Sequence, residues 1–289
     1  VLVCIGDLVE DVVVWTDGGS RTGTDNPARI RRVRGGAASN VAAFAASRGT
    51  PVRFVGRVGD DPAGEALVQE LSKAGVDARV QRRGRTGTIV ILVDASGERT
   101  MYPDRAASAE LADVPDSWIS GAAAIHLSAY SLTGPPGQVL RQAAAIARAE
   151  GAVLAVDGSS VALIDSVGPA TFRDLVGALR PGYVFANGAE AELGSLRDLA
   201  GRGTTVVVKN GLDPTEVHFG DGRSAAVPVP PVDRVLDTTG AGDAFAAGFL
   251  SAVLQQAEPL EAVAAGHALA SRVLTEPGAT LHAPGAVRD

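Results

Sequence analysis

The sequence predicts an α/β fold in which a mostly parallel central sheet is covered by helices on both faces and a small β-sheet lid sits beside it. Three observations carry this. From Val52 onward, strand-like runs alternate with helix-like ones, and such alternation implies a parallel sheet buried on both sides. Short strands near 12–15, 28–33, 88–93 and 99–102 mostly have no helix between them. They suit a separate small sheet over one edge of the core, although they could also extend the main sheet. Finally, the stretch Asp237-Thr238-Thr239-Gly240-Ala241-Gly242-Asp243-Ala244-Phe245 runs from a turn straight into an apolar segment. There Phe245, Phe249, Val253 and Leu254 share one helical face.

In chain order, residues 1–5 read as a buried strand ending at Gly6-Asp7, and 12–15 as a strand with Asp11 at its start. Gly, Thr, Asp and Pro make 17–27 a loop. A strand over 28–33 is broken by Gly35-Gly36, and Ser39-Asn40 open an Ala-rich helix that Gly49 stops. A strand over 52–58 precedes Asp60-Asp61-Pro62, a helix start with proline in the first turn, and Gly75 closes that helix. The runs 88–93 and 99–102 flank Asp94-Ala95-Ser96-Gly97-Glu98 as a β-hairpin. Strands are expected at 123–128, 152–156, 182–186 and 204–208, with helices at 136–150, within 160–178 and at 188–194. Strands 215–219 and 224–229 form a hairpin, and helices 241–256 and 259–273 finish the pattern. The expectation is a single domain over 1–289, with lid strands drawn from about 12–34 and 88–102.

Composition excludes several classes of function. Hydrophobic residues make up 46% of the 289, which argues for a packed core. No apolar run approaches the roughly 20 residues of a membrane span. Val1–Ile5 is too short for a signal peptide and lacks a basic flank. The single cysteine, Cys4, excludes an internal disulfide and fits a reducing cytoplasm. A net charge of −7 argues against nucleic acid as partner. The cluster Arg29, Arg31, Arg32 and Arg34 reads as the solvated face of a strand. Lysine occurs only at 73 and 209, so each one invites a reason why arginine does not replace it. His126, His218, His267 and His282 lack metal-ligand spacing.

The 240–243 turn is where chemistry is expected. Gly240 and Gly242 let the backbone approach a ligand, and a helix start offers N–H groups to an anion. Asp243 within that turn is either an ordinary partner of the helix dipole or a base placed beside a phosphate, its pKa then expected to be lowered by the dipole. No P-loop is present, and the third glycine of a dinucleotide fingerprint is missing.

Two stretches together carry a family resemblance. Asp237–Phe245 is similar to the C-terminal signature of the ribokinase-like (PfkB) carbohydrate kinases. Gly35-Gly36-Ala37-Ala38-Ser39-Asn40-Val41-Ala42, followed by Phe54–Gly64, resembles their N-terminal signature. The resemblance implies a Rossmann-like α/β/α sandwich and ATP-dependent phosphorylation of a hydroxymethyl group on a small sugar. Nucleoside kinases and sugar-acid (2-keto-3-deoxy sugar) kinases are alternatives, and a sugar-binding regulator without catalysis is a rival from another class. By resemblance Asp243 is the catalytic base, and the backbone of Gly240, Ala241 and Gly242 is the anion hole. Asp11, Gly35, Gly36 and Asn40 hold sugar hydroxyls, and Arg105 sits where some members carry an arginine facing the substrate. Asn187, Lys209 and Gly211 serve the nucleotide, although Pro214 departs from the glycine often found there. Glu190 acts on Mg²⁺ through water, while a capping box with Asn187 is an equally valid reading of Asn-x-x-Glu. Asp237 and Thr239, with the loop Glu276-Pro277-Gly278-Ala279-Thr280, hold a monovalent cation such as K⁺ in some members; His282 departs from ribokinase there. Lid strands of the family often pair between subunits, so a homodimer through the lid is a further expectation. Nothing in the sequence points to a nucleic-acid or membrane partner.

Overall fold

The computed structural model describes residues 1–16, 21–94, 99–276, 278 and 279. The chain opens with β1 (Leu2–Ile5), β2 (Val9–Thr16), β3 (Ala28–Gly35) and α1 (Ala37–Ser47). Then come β4 (Val52–Val58), α2 (Pro62–Lys73), β5 (Asp77–Arg82), β6 (Thr88–Val93) and β7 (Arg99–Asp104). Alternation follows through β8 (Ala124–Ser128), α3 (Pro136–Glu150), β9 (Val153–Asp157), α4 (Val161–Val167), α5 (Pro169–Leu179), β10 (Tyr183–Asn187), α6 (Gly188–Leu193) and β11 (Thr205–Asn210). The hairpin β12 (Asp213–His218) and β13 (Ser224–Val227) leads to α7 (Ala241–Val253) and α8 (Pro259–Val273).

Among the described residues the strands form two sheets. The larger runs β13-β12-β11-β10-β9-β8-β1-β4-β5, parallel except for the antiparallel pairs β11–β12 and β12–β13. The smaller runs β3-β2-β6-β7. Its outer pairs are antiparallel, and β2 and β6 lie parallel with Asp11 opposite Ile89. The short strands therefore do form a sheet of their own. Residues 95–98 of the expected hairpin turn lie outside the described residues.

Side chains alternate across the large sheet with the two-residue period of a strand. Leu2, Cys4, Phe54, Phe185 and Val207 face α1, α2, α7 and α8 on one side. Val3, Ile5, Val55, Ile125, Val156, Val184 and Val208 face the side covered by α3, α4 and α5. An edge-on aromatic cluster seats α7, with Phe249 stacking at 4.9 Å from Tyr183 and 5.1 Å from Phe185. A side chain at Gly248 would meet the Ala265 carbonyl at 2.5 Å, so glycine lets α8 cross α7 closely.

The structure departs from the sequence reading in four places. Strand β5 was not expected. It reads Asp-Ala-Arg-Val-Gln-Arg and lies at the sheet edge, where charged residues discourage further pairing and disguise the strand pattern. Asp11 lies inside β2 rather than at its start. Helix α1 begins at Ala37, capped by the Gly36 backbone, so Asn40 sits within the first turns and is not the cap. Arg29, Arg31 and Arg32 are exposed as expected of a solvated face, but Arg34 is buried.

Candidate active site

Parallel strands leave their carboxyl ends along one edge, where open α/β sheets bind ligands. Asp157, Asn187, Lys209 and Asn210 end β9, β10 and β11 there. Helix α7 points its N-terminus at the same edge.

Gly240 caps α7 with φ of 76°, a left-handed conformation that favours glycine. A side chain there would also strike Ala279 Cβ at 2.7 Å. The cap leaves Gly242 and Asp243 N–H groups at a helix start, where no intrahelical acceptor is available. Asp243 is half-buried. The sequence reading expected the helix dipole to lower its pKa; instead its carboxyl is pushed up to about 7. Burial is the main cause and the Asp157 charge adds to it, against the Asn40 hydrogen bond and the Lys209 and Arg34 charges. Loss of water around the carboxylate outweighs the dipole.

Asn40 comes from the other end of the sequence. Its Nδ2 donates to Asp243 Oδ2 at 2.9 Å, and its Oδ1 accepts from Arg34 Nη1 at 2.6 Å. Arg34 also donates from Nε to Glu70 Oε1 at 3.2 Å. Asp11 is buried, and its Oδ1 has no hydrogen-bond partner among the described residues. Burial lifts the Asp11 carboxyl to about 7 against the Arg34 charge. Gly35 is required beside it, since an added Cβ would stand 2.0 Å from Asp11 Oδ1. Gly36 adopts φ of 102° with its α-carbon against the Asp7 carbonyl, which a Cβ would meet at 2.3 Å. Asp11 lines a cavity of about 360 Å³ together with Val13, Trp15, Ile91 and the 235–239 segment.

A second cavity of about 670 Å³ holds Asp157, Asn187, Glu190, Lys209, Gly211 and the 240–243 turn. Lys209 Nζ lies 3.3 Å from Asp157 Oδ2. Burial alone would lower its pKa, but the charges of Asp157, Glu190 and Asp243 prevail and raise it, so it stays protonated. Burial and the neighbouring Asp157 charge raise the Glu190 carboxyl above its ordinary range. Glu190 completes a full capping box: its Oε2 accepts from Asn187 N–H at 2.9 Å, and Asn187 Oδ1 accepts from Glu190 N–H at 2.9 Å. Asn187 Nδ2 donates to Glu190 Oε1 at 2.7 Å. Pro214 lies in β12, and its carbonyl accepts from Asn210 Nδ2 at 3.1 Å.

Asp237 and Thr239 form a tight turn ahead of α7. Asp237 Oδ1 accepts from Thr239 N–H at 2.8 Å and from its hydroxyl at 2.6 Å, while Oδ2 accepts from Gly278 N–H at 3.0 Å. The Arg99 guanidinium also contacts this turn. Among the described residues these oxygens already have donors within the chain, an arrangement that does not suit a bound monovalent cation. Pro277, Thr280 and His282 of the expected cation loop lie outside the described residues.

Arg105 stands apart from both cavities. Its Nε donates to Asp7 Oδ2 at 2.7 Å, Nη2 reaches Asp7 Oδ1, and Nη1 donates to the Tyr130 carbonyl at 2.7 Å. The structure thus gathers Asp11, Gly35, Gly36, Asn40 and Asp243 on one side, with Asn187, Glu190, Lys209 and Gly211 on the other. Three residues at the site were missed in the sequence. Asp157 ends a Val-rich parallel strand, a position that could have signalled it. Arg34 was hidden in a run of exposed arginines, and nothing local marks Arg99.

Comparison with known proteins gives the family. The sequence profile described as pfkB family carbohydrate kinase matches residues 1–285. A fructokinase from Klebsiella pneumoniae is 31% identical over 287 residues, covering 92% of this chain and 89% of its own. An ATP-dependent ribose-1-phosphate kinase from Halopiger xanaduensis is 34% identical over 248 residues, 78% of this chain and 76% of its own. The crystal structure of an adenosine kinase from Sinorhizobium meliloti superposes with a TM-score of 0.85 at 24% identity, over 96% of this chain and 94% of that one, and speaks for the fold. The chain belongs to the pfkB family of carbohydrate kinases.

Proposed function

We propose that this ATP-dependent carbohydrate kinase transfers the γ-phosphoryl group of ATP to a hydroxymethyl group of a small sugar, with Asp243 as the base. The observation that carries this reading is the Asn40–Asp243 hydrogen bond. It joins the sugar-side motif to the helix start that would receive the phosphate.

Asp11, with a buried and unpartnered oxygen, accepts from sugar hydroxyls, and Gly35 and Gly36 leave room for the Asp11 carboxylate and the Asp7 carbonyl behind it. Asp243, near 7, is well placed to accept the attacking hydroxyl's proton. In the Gly240-Ala241-Gly242 turn the Ala241 N–H is held by the Thr238 carbonyl, and Gly242 and Asp243 present their N–H groups to charge gathering on the transferred phosphoryl, an effect on the order of 3 kcal/mol per donor. Lys209 and Asn187, with the Gly211 backbone, line the cavity for the nucleotide phosphates. Two carboxylates crowded beside Lys209 suit a divalent cation. Asp157 and Glu190 are the residues that would hold Mg²⁺, both through water, because Asn187 engages the Glu190 oxygens while Ser159 N–H and Lys209 Nζ engage those of Asp157. When bound, Mg²⁺ neutralises charge on the phosphates.

A nucleoside is the second reading. Trp15, Val13, Val33, Ile91, Val93 and Leu236 make an apolar wall next to Asp11 that would suit a base. Tyr102 of β7, a second aromatic residue on the small sheet, is 57% exposed and outside this wall. The sugar-acid reading gains no support from Arg105, whose donors are held by Asp7 and Tyr130. Cytoplasmic residence and a homodimer through the outer strands of the small sheet complete the proposal. No helix among the described residues is long and apolar enough to cross a membrane. The test is ATP consumption over fructose, ribose, ribose 1-phosphate, sugar acids and nucleosides. Turnover with a free sugar supports the first reading and turnover with nucleosides alone the second. Binding without any turnover would favour a regulator.

A further inference from the structure

Arg99 opens β7 on the small sheet, and its guanidinium crosses to the turn that precedes α7. Its Nη2 donates to Thr238 Oγ1 at 2.5 Å. Its Nη1 donates to Thr239 Oγ1 and lies 3.4 Å from Asp237 Oδ1. The Thr239 hydroxyl in turn donates to Asp237 Oδ1 at 2.6 Å. The pair is largely shielded from water, with side chains 25% and 23% exposed for Arg99 and Asp237. Burial alone would raise the Asp237 carboxyl, but the Thr239 and Gly278 hydrogen bonds and the Arg99 charge hold it below its ordinary range.

This arrangement matters because Thr239 adjoins Gly240, the cap of α7. Whatever fixes Asp237, Thr238 and Thr239 also fixes the N–H groups and the carboxylate of the next turn. A metal ion binding there would compete with Arg99, Thr239 and Gly278 for the Asp237 and threonine oxygens. It would also stand against a fixed positive charge, a costly neighbour in a partly desolvated site.

We propose that the Arg99 guanidinium is the built-in cation of this turn, standing in place of a bound monovalent metal ion and linking the small sheet to the setting of the α7 N-terminus. Arg99 is then a positioning residue that acts through the 237–240 turn. The activity part of this proposal rests on the kinase reading; the binding part does not.

The experiment compares wild type and Arg99→Ala in potassium, sodium and tetramethylammonium chlorides at equal ionic strength, reading kcat, KM and melting temperature. Wild type is expected to be indifferent to the cation in every readout. Arg99→Ala should lose roughly ten- to hundredfold in kcat, the scale of a lost set of charge-assisted hydrogen bonds. Added K⁺ or methylguanidinium should raise both its kcat and its melting temperature, while tetramethylammonium should not, and Arg99→Lys should retain more activity than Arg99→Ala. Specific activation or stabilisation of wild type by K⁺ overturns the proposal. So does an Arg99→Ala variant that melts identically in all three salts with or without methylguanidinium. The melting series reads the cation site without turnover, so it decides the matter even where no acceptor is phosphorylated and the kinase reading itself fails.

Discussion

Asn40 Nδ2 donates to Asp243 Oδ2 at 2.9 Å, across 203 residues of sequence. This bond ties α1 to the first turn of α7 and holds down the pKa of a carboxyl that burial lifts. Asn40→Ala should therefore lower kcat and move the acid limb of the pH–rate profile upward. Profiles of both proteins check this; an unmoved limb would separate Asn40 from the base.

The pH dependence of wild type follows from Asp243 and Asp11, whose carboxyls both lie near 7. The value of kcat/KM should fall as pH drops below about 7, because the base becomes protonated. Stability runs the other way. Between an ordinary value of 3.8 and the folded value of about 7, the folded chain keeps a proton that the unfolded chain has released. Folding thus becomes less favourable as pH rises through this window. Asp243→Asn removes that cost and should melt higher than wild type at pH 8, with the gap closing toward pH 4. A tenfold change in proton affinity is worth about 1.4 kcal/mol, so the shift from 3.8 to about 7 sets an upper bound of roughly 4 kcal/mol, and solvent screening of the half-buried carboxylate brings the expected gain below it. Thermal melts across pH read it.

Gly35→Ala would place a methyl group 2.0 Å from Asp11 Oδ1 and displace the carboxylate. Losing hydrogen bonds to a charged group should raise the acceptor KM about tenfold or more, with the KM for ATP nearly unchanged. Equal effects on both constants would argue that Asp11 does not contact the acceptor.

Lys209→Met leaves Asp157 and Glu190 facing one another without their cation. Leaving these buried carboxylates without their partner should cost the fold on the order of 1–3 kcal/mol and raise the KM for ATP. Chemical denaturation with and without an ATP analogue measures both.

The parallel core was legible because β9 and β10 are short apolar runs set between helices with proline, serine or asparagine at their starts. Strand β5 was not, because an exposed edge carries Arg and Asp where the pattern demands apolar residues. Asp243, Asn40 and the paired glycines were readable because their spacing is local. The pKa of Asp243 was not: it depends on Asp157, Lys209 and Arg34, brought in by three other elements. Arg99 and Asp237 meet across 138 residues, and neither residue's neighbours announce the other.

As the proposed base, Asp243 accepts the proton of the attacking hydroxyl. The most direct measurement is kcat of Asp243→Asn with the best acceptor from the substrate panel, after melting and ATP-analogue binding show that the variant is folded. Loss of a general base predicts a fall of roughly 10²–10⁴-fold with binding retained. Turnover within a few fold of wild type would contradict the account.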